Sequence, residues 1–388
     1  MTVQQPSSEQ ATLTRLIELA YVGLVPMFDQ REQLFCYRLK KTSTGLAQEG
    51  ISRRYTMMCL MGLHRLQQNG ITSPIAIAPV LDILLKDTSW VDNIGDLGIL
   101  LWTCAVVAPE RLSQLEKQVD AMNAFSRYPD TEQRRTMELA WFLTGLSYWG
   151  AAQPQKLSYL NDLAFRTYMI LKKNQGEYGY FGHLAKNASF TGMLRGRIGS
   201  FADQVYPIYG MTKFWQVFGE PAARDSAVHC AGAICKAQGP LGQWWWHYDS
   251  LNGQVVDGYP VFSVHQHAMG PMALLALGDA TQSDYSRSIF HGLRWINSRN
   301  ELNFEMEDAS ARLIWRCVFN SSMAPQKKVK AIFGLRSHGE PQESARNLSV
   351  RFECRPYELG WLLYAFAGRA GLGLNRSSEV ATAELGRI

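Results

Sequence analysis

Apolar residues recur at spacings of three and four along most of this 388-residue chain, which is the period of an amphipathic α-helix. Few runs alternate as strands do. Gly and Pro lie in the gaps, as at Gly70 and Gly239-Pro240, where helices are expected to end. The pattern predicts an all-α chain of paired helices. The ten predicted helices cover 13–25, 53–67, 94–107, 135–148, 160–172, 205–218, 222–236, 264–277, 285–296 and 357–367.

Two turns near the middle of the chain fit one template, Gln-x-x-x-Gly-x-(Phe/Trp). The first runs from Gln175 to Phe181, and the second runs from Gln238 to Trp244, 63 residues later. A repeat of about 60 residues predicts one repetitive body. About six helix pairs can close into a ring, so we predict a single α/α toroid, an (α/α)6-like barrel. An open solenoid is the alternative, although its repeats are usually shorter.

The predicted toroid domain covers residues 11–371. Residues 1–10 are polar and predict a flexible N-terminus, and residues 372–388 predict a C-terminal tail. A lysine-rich segment near 320–347 predicts a surface insertion before the last helix.

Composition and charge exclude several classes of function. The net charge of +5 and the pI of about 8.7 are mild, and scattered Lys and Arg residues argue against nucleic acid as a partner. Seven cysteines without a C-x-x-C pair indicate reduced thiols, and the polar leader does not resemble a signal peptide, so we expect a cytoplasmic protein. No segment qualifies as a transmembrane span. Peripheral membrane contact and the oligomeric state stay open.

The densest group of polar and aromatic residues follows the second turn, where a toroid would have its mouth. Asp249 and Asp257 are candidate general acids, because a carboxyl group enclosed by aromatic surface has a raised pKa. The alternative is that they cap a hairpin turn. His265 and His267 are candidates for proton transfer, with a structural role or a metal site as alternatives. Asp203 occupies the equivalent junction of the preceding repeat.

Further residues at these junctions are candidates for substrate binding. Aromatic faces stabilise cations or stack on sugars, and arginines bind phosphate or carboxylate groups. Carboxylates at helix starts also favour the helix dipole without any catalytic role. The candidates are Trp245, Trp246, Tyr259, Arg195, Arg197, Glu305 and Glu358. No nucleotide-binding loop, Gly-x-Ser-x-Gly motif or recognised zinc spacing occurs, so the sequence predicts no cofactor and no metal.

The turns with Gln175 and Gln238 resemble the QW motifs of the terpenoid cyclase and protein prenyltransferase superfamily, over roughly residues 50 to 370. The resemblance implies the α/α-toroid fold and a pocket for isoprenoid chemistry. The Asp-x-Asp-Asp and Asp-Asp-x-x-Asp motifs of such enzymes are absent. The expected function is therefore a non-standard terpene cyclase, in which one Asp at the mouth protonates a small isoprenoid substrate.

Two other functions stay open at this point. The same toroid is similar to carbohydrate-active barrels, which include epimerases, lyases and glycosidases, and there two carboxylates would act across a sugar ring. A non-catalytic binding scaffold is the third hypothesis. A deep, closed, apolar pocket would favour the cyclase, and an open cleft lined with carboxylates would favour the carbohydrate-active enzyme.

Overall fold

The computed structural model describes residues 8–127, 135–184, 196–321 and 347–369. All ten predicted helices are observed, and three helices at 77–86, 112–118 and 121–127 are additional. A π-helical turn, His265–Met269, leads into the helix Gly270–Thr281. The helices are α1 (Ser8–Gly23), α2 (Arg53–Gln68), α3 (Ile77–Lys86), α4 (Ile94–Val107), α5 (Leu112–Gln118), α6 (Ala121–Arg127), α7 (Thr136–Ala152), α8 (Leu157–Lys173), α9 (Ala202–Phe218), α10 (Pro221–Lys236), α11 (Gly270–Thr281), α12 (Ser286–Ile296) and α13 (Pro356–Phe366).

The described helices form two concentric rings. The inner ring contains α2, α4, α7, α9, α11 and α13, and each of these helices packs against the next one. Helix α13 packs back against α2, so the ring is closed. The outer ring is formed by α1, α3, α5, α6, α8, α10 and α12. The prediction of an α/α toroid is therefore confirmed, and an open solenoid is excluded by the contact between α13 and α2.

Glycines bring α4 and α7 unusually close together. A Cβ at Gly98 would overlap the backbone of Phe142, and a Cβ at Gly145 would overlap the backbone of Gly98. One turn earlier, a Cβ at Gly95 would lie 3.0 Å from the Cα of Glu138. Because only glycine permits this approach, the first turns of the two helices lie side by side.

Aromatic side chains fill the axis of the ring. The hydroxyl groups of Tyr148, Tyr209 and Tyr364 converge, with oxygen separations of 2.6, 2.9 and 3.1 Å. The indole N–H of Trp102 donates to the Tyr364 hydroxyl at 3.2 Å, and the Trp361 indole stacks on Trp102. Tyr148 is partly buried, and the other four side chains are buried. The hydroxyls satisfy one another, which a buried polar group requires.

Short strands occupy the loops at the ends of the helices, and the spacing of apolar residues had indicated few of them. The longest pair, β2 and β3, forms a hairpin beside the start of α2. The sheets are β1-β2-β12 with β3 on β2, β11-β10-β7, β4-β5-β6 and β8-β9. The strands are β1 (Phe28–Asp29), β2 (Leu34–Thr42), β3 (Gly45–Ile51), β4 (Ile198–Ser200), β5 (His247–Asp249), β6 (Val255–Asp257), β7 (Val261–Phe262), β8 (Glu307–Asp308), β9 (Leu313–Ile314), β10 (Cys317–Asn320), β11 (Leu348–Arg351) and β12 (Glu353–Cys354).

The two repeated turns make the same contacts. The Gln175 amide donates to the carbonyl groups of Gly179 and Ser226, at 3.1 and 3.0 Å. The Gln238 amide donates to the carbonyl groups of Gly242 and Ser288, both at 2.9 Å. Each glutamine therefore ties the end of one outer helix to the next outer helix.

Most of the predicted insertion and tail lies outside the described ranges, as do residues 1–7. The domain boundaries, the flexible N-terminus, the surface insertion and the C-terminal tail stay predictions. Helix α1 begins at Ser8, and the cysteines are all unpaired. Among the described residues, no helix has both the length and the apolar character that a membrane crossing requires.

Candidate functional site

Each inner helix brings a charged or titratable side chain to the same end of the ring. The side chains lie within the first three residues of their helices or, for His265, in the π-helical turn before α11. The inner helices run in the same direction, so these side chains surround one opening, called the mouth below. The mouth residues are Arg54 on α2, Asp96 on α4, Glu138 on α7, Asp203 on α9, His265 before α11 and Glu358 on α13.

Arg54 and Asp96 form a two-pronged ion pair between the neighbouring inner helices α2 and α4. The Arg54 Nε lies 2.6 Å from Asp96 Oδ1, and its second nitrogen lies 2.8 Å from Oδ2. The side chain of Asn93 caps α4 and donates to the same carboxylate at 2.8 Å. The guanidinium group also lies over the ring of Trp141, 5.3 Å from its centre. Arg54 is therefore fixed by a carboxylate on one side and an aromatic face on another.

Glu138 lies next to this pair, near the start of the neighbouring helix α7. Its side chain packs on Gly95, next to Asp96, and only 5% of the residue is exposed. Arg135, in the preceding turn, approaches its carboxyl group to 3.3 Å. Burial raises the pKa of Glu138 to about 7, while the charge of Arg54 lowers this pKa and the charge of Asp96 raises it. A carboxyl group with this pKa can donate a proton near neutral pH.

Asp203 is held firmly on the other side of Glu138. One of its oxygens accepts the backbone N–H of Met137 at 3.2 Å. The other accepts the backbone N–H and the hydroxyl of Ser200, both at 2.9 Å. The Nδ1 of His183 lies 3.0 Å from the same oxygen. Asp203 is 1% exposed, so these contacts fix its position and hold His183 against it.

Glu358 belongs to a separate buried ion network. Arg316 pairs with Glu358 and also approaches Glu353, with Nε 3.1 Å from the carboxylate. Arg355 contacts Glu353 at 3.4 Å and donates to the hydroxyl of Tyr55 at 3.0 Å. Burial raises the pKa of Glu358 to about 7, against the opposing charge of Arg316. The network links β10 and β12 to the start of α13.

A cavity of about 330 Å³ opens beside Arg54 and Asp96. It lies between the β2–β3 hairpin, the start of α2 and the loop before α4. Tyr37 and Tyr55 are stacked with ring centres 5.6 Å apart, and they form one wall. The cavity thus combines aromatic surface with a few charged groups, as small-molecule sites do. Its lining residues are Tyr37, Ile51, Ser52, Arg53, Arg54, Tyr55, Trp90, Asp92 and Asp96.

The two candidate histidines are buried and uncharged. Burial lowers the pKa of His265 and that of His267 to about 3. The His265 ring packs on Phe201, 4.4 Å between centres, and its Nδ1 lies 3.4 Å from the carbonyl oxygen of Trp244. Within the described part of the chain, neither ring nitrogen of His267 has a hydrogen-bond partner. Only His265 lies among the mouth residues.

Asp249 and Arg197 contact each other in the small sheet next to the mouth. The Asp249 carboxylate lies 3.2 Å from Arg197 Nε and accepts the backbone N–H of Leu251 at 2.9 Å. This is the capping geometry of a hairpin turn. Asp257 lies on the partner strand β6. The side chain of Asp257 and the whole of Arg195 lie outside the described part of the structure. Their catalytic and binding roles stay predictions.

The remaining predicted binding residues are dispersed. Trp246 is half-buried and stacks on His247, 4.2 Å between ring centres. Trp245 is buried and donates to the carbonyl of Ala237 at 2.8 Å, away from the mouth. Tyr259 is buried, and Glu305 is exposed and accepts the Ser298 hydroxyl at 2.8 Å. Of the predicted residues, Asp203, His265 and Glu358 are therefore brought together at the mouth.

Sequence reasoning missed Arg54, Glu138 and His183 as site residues. The usable signal was position: Asp96, Glu138 and Glu358 are each the third residue of an inner helix. The helix starts were predicted only approximately, so this register was not visible. Among the described residues, no group of three or more His, Cys, Asp and Glu side chains is arranged to hold a metal ion.

No family model and no curated protein sequence matches this chain. Solved structures with the same fold were found. A possible GH105 family member from Salmonella enterica superposes with a TM-score of 0.61 at 13% identity, covering 95% of this chain and 96% of the other. An unsaturated glucuronyl hydrolase specific for heparin superposes with a TM-score of 0.59 at 13% identity, covering 97% of this chain and 98% of the other. A glycosyl hydrolase family 88 protein from Bacteroides vulgatus superposes with a TM-score of 0.53 at 11% identity, covering 93% of this chain and 99% of the other. At such identities the similarity shows the α/α-toroid fold.

The resemblance to terpenoid cyclases is wrong, and so is the predicted terpene cyclase function. The similar structures are glycosidases, the ring axis is filled with aromatic side chains, and the mouth is charged. The glutamine turn led to the wrong family because its glutamine forms hydrogen bonds between neighbouring outer helices and takes no part in the chemistry. The same tight turn can therefore occur in α/α toroids with different activities. The alternative of a carbohydrate-active barrel is better supported.

Proposed function

We propose that this protein is a glycosidase-like, carbohydrate-active enzyme that acts on a small saccharide at the mouth. The observation that carries the proposal is Glu138, a buried carboxyl group between Arg54 and Asp96 on one side and His183 and Asp203 on the other. A proton donor beside a second, fixed carboxylate is the minimum that acid-catalysed cleavage of a glycosidic bond needs.

The neighbouring cavity supports a sugar as the substrate. Its volume of about 330 Å³ is at the lower end of the range for small-molecule sites. Tyr37, Tyr55 and Trp90 line the cavity with aromatic surface against which the C–H side of a sugar ring can pack. The exposed carboxylate of Asp92 offers an acceptor for a sugar hydroxyl group. An isoprenoid chain is apolar and offers this carboxylate no hydrogen-bond donor.

In the proposed reaction, Glu138 donates its proton to the oxygen that links the sugar to its leaving group. The bond between this oxygen and the anomeric carbon breaks, and the leaving group departs as an alcohol. The Asp203 carboxylate stabilises the positive charge that develops on the sugar ring. A water molecule then adds to the anomeric carbon, and its proton returns to the Glu138 carboxylate. Glu138 thus acts first as an acid and then as a base.

The substrate test uses a panel of saccharides. Aryl glycosides and neutral disaccharides are compared with unsaturated uronyl disaccharides, because one similar structure is described as an unsaturated glucuronyl hydrolase. The unpaired cysteines support action in the cytoplasm, which we propose as the location.

The decisive variant is Glu138→Gln, which keeps the shape of the side chain and removes its proton. We expect kcat/KM to fall by at least about 100-fold, because general acid catalysis usually accelerates a reaction by about this factor or more. Glu18→Gln, an equal change on an exposed position of the outer helix α1, is the control and keeps full activity. Turnover of no saccharide in the panel, or full activity of Glu138→Gln, would overturn the proposal.

A further inference from the structure

Three observations place Arg54 and Asp96 beside Glu138 on the neighbouring helix α7. The first is the two-pronged ion pair, which holds both charges at a fixed separation. The second is Gly95, where the atoms of Glu138 lie within 3.0 Å of the place a Cβ would occupy. The third is Trp141, one turn after Glu138 on α7, which carries the Arg54 guanidinium group on its ring face.

The arrangement contradicts a direct catalytic role for Asp96. Both oxygens of its carboxylate are bonded to Arg54, and one also accepts from Asn93. A carboxylate engaged in this way has little remaining capacity to accept a proton from water. Its side chain is 9% exposed, against 36% for Arg54.

We propose that Arg54 and Asp96 act as a positioning pair beside Glu138, in which the Asp96 carboxylate offsets the charge of the Arg54 guanidinium group, so that this cation does not ionise Glu138. The catalytic role of the pair rests on the proposed function, whereas the experiment that tests the pair does not. If Arg54 were unpaired, its charge would favour the ionised form of Glu138. If Asp96 were unpaired, its charge would favour the protonated form. As a pair, they leave burial as the dominant influence, which agrees with the raised pKa of Glu138.

Other charges also face Glu138, and a test must keep them unchanged. They come from its own helix start, from α9 and from the segment after α8. Since His183 lies 3.0 Å from Asp203, the charge of that second pair changes if the imidazole titrates. The groups that face Glu138 are Arg54, Asp96, Arg135, His183 and Asp203.

The experiment measures the titration of Glu138 directly, by carbon-13 NMR of labelled glutamate carboxyl groups in the full chain. The Glu138→Gln variant assigns the signal by its disappearance. We expect Asp96→Asn to lower the titration midpoint by about one pH unit, because it leaves a cation beside Glu138. We expect Arg54→Met to raise the midpoint by about one unit. The double variant returns it to within about 0.5 unit of the wild-type value.

Opposite shifts are the distinguishing result, since a merely structural pair would give no shift or two shifts of one sign. Such outcomes would overturn the inference. If Arg54→Met does not fold, Arg54→Lys is used in its place. Because lysine retains the positive charge, we expect Arg54→Lys to shift the titration midpoint of Glu138 by less than about 0.5 unit. Asp96→Asn should still lower this midpoint. The NMR readout needs no turnover. If the protein turns over no saccharide but the two variants still shift the titration midpoint of Glu138 in opposite directions, the proposed function is contradicted and the inference about the pair is supported.

Discussion

Gln204 near the start of α9 and Gln266 in the π-helical turn before α11 are equivalent residues, 62 positions apart, and each binds the backbone of the aromatic residue that ends a repeated turn. The Gln204 amide bonds both the N–H and the carbonyl of Phe181, at 2.8 and 2.9 Å. The Gln266 amide bonds the same two groups of Trp244, at 3.1 and 3.4 Å. The repeat therefore extends from the outer helix through the turn to the start of the inner helix.

This equivalence explains how the mouth is assembled. The residue before each inner glutamine is Asp203 in one repeat and His265 in the next. Fixing the glutamine on the turn fixes the preceding side chain at the mouth. The structural repeat thus supplies positions, and the identity of the residue at each position supplies the chemistry.

Removing one of the outer glutamines should weaken the repeat. We expect Gln238→Ala to lower the free energy of unfolding by about 2 kcal/mol, because the carbonyl groups of Gly242 and Ser288 lose their donor in a partly buried site. Chemical denaturation measures this change. Gln216→Ala, on an exposed position of α9, serves as control and should change stability by less than about 0.5 kcal/mol. Equal effects of the two substitutions would contradict the cross-linking role.

The fold was predictable because its signals are local. Helical spacing and the two turns around Gln175 and Gln238 depend on residues close in sequence, and they were sufficient for the closed ring. The β2–β3 hairpin was missed because its exposed residues lack a clear alternation, and contact with β12 helps to stabilise it.

The site was harder to predict because it depends on contacts between distant residues. Arg54 and Asp96 are 42 residues apart in sequence, yet they form the central ion pair. Glu138 is distinguished from other glutamates by burial against Gly95, a fact of helix packing. The residues near Trp244 were conspicuous by composition, but Asp249 was placed in a hairpin cap by its bond to Leu251.

The close packing of α4 and α7 can be tested with two glycines. We expect Gly98→Ala to destabilise the protein by about 3 kcal/mol, because its Cβ would overlap the backbone of Phe142 and force the helices apart. Gly232, on outer helix α10, has open space around the same position. Gly232→Ala should stabilise the protein by about 0.5 to 1 kcal/mol. Thermal unfolding of both variants measures the two changes in stability. If both substitutions stabilise the protein, or both destabilise it, the prediction is wrong.

His267 should make stability depend on pH. Its pKa is lowered from the ordinary value of 6.5 to about 3 by burial, so the unfolded chain binds a proton that the folded chain does not. The contribution of His267 is fully present above pH 6.5 and is lost as pH falls below it, by about 2 kcal/mol at pH 5. The raised pKa of Glu138 and of Glu358 acts in the opposite direction, since protonation favours their folded forms.

The His267 effect is therefore measured as a difference. The stability of wild type minus that of His267→Leu, obtained by urea unfolding, should fall by about 2 kcal/mol between pH 7.5 and pH 5. The two carboxyl groups are present in both proteins and cancel. A difference that does not change with pH would show that His267 is accessible to protons in the folded state.

The activity of the protein should follow the ionisation of Glu138. With a pKa raised to about 7 by burial, the proton-donating form is complete below this pH and declines above it. We expect kcat/KM to be level on the acid side of neutrality and to fall about tenfold per pH unit on the alkaline side. Rates on aryl glycosides with good and poor leaving groups provide the check. The alkaline fall should be steepest for poor leaving groups, which need the proton, and nearly absent for good ones. An equal fall for both kinds of substrate would assign the ionisation to another group and remove Glu138 as the proton donor.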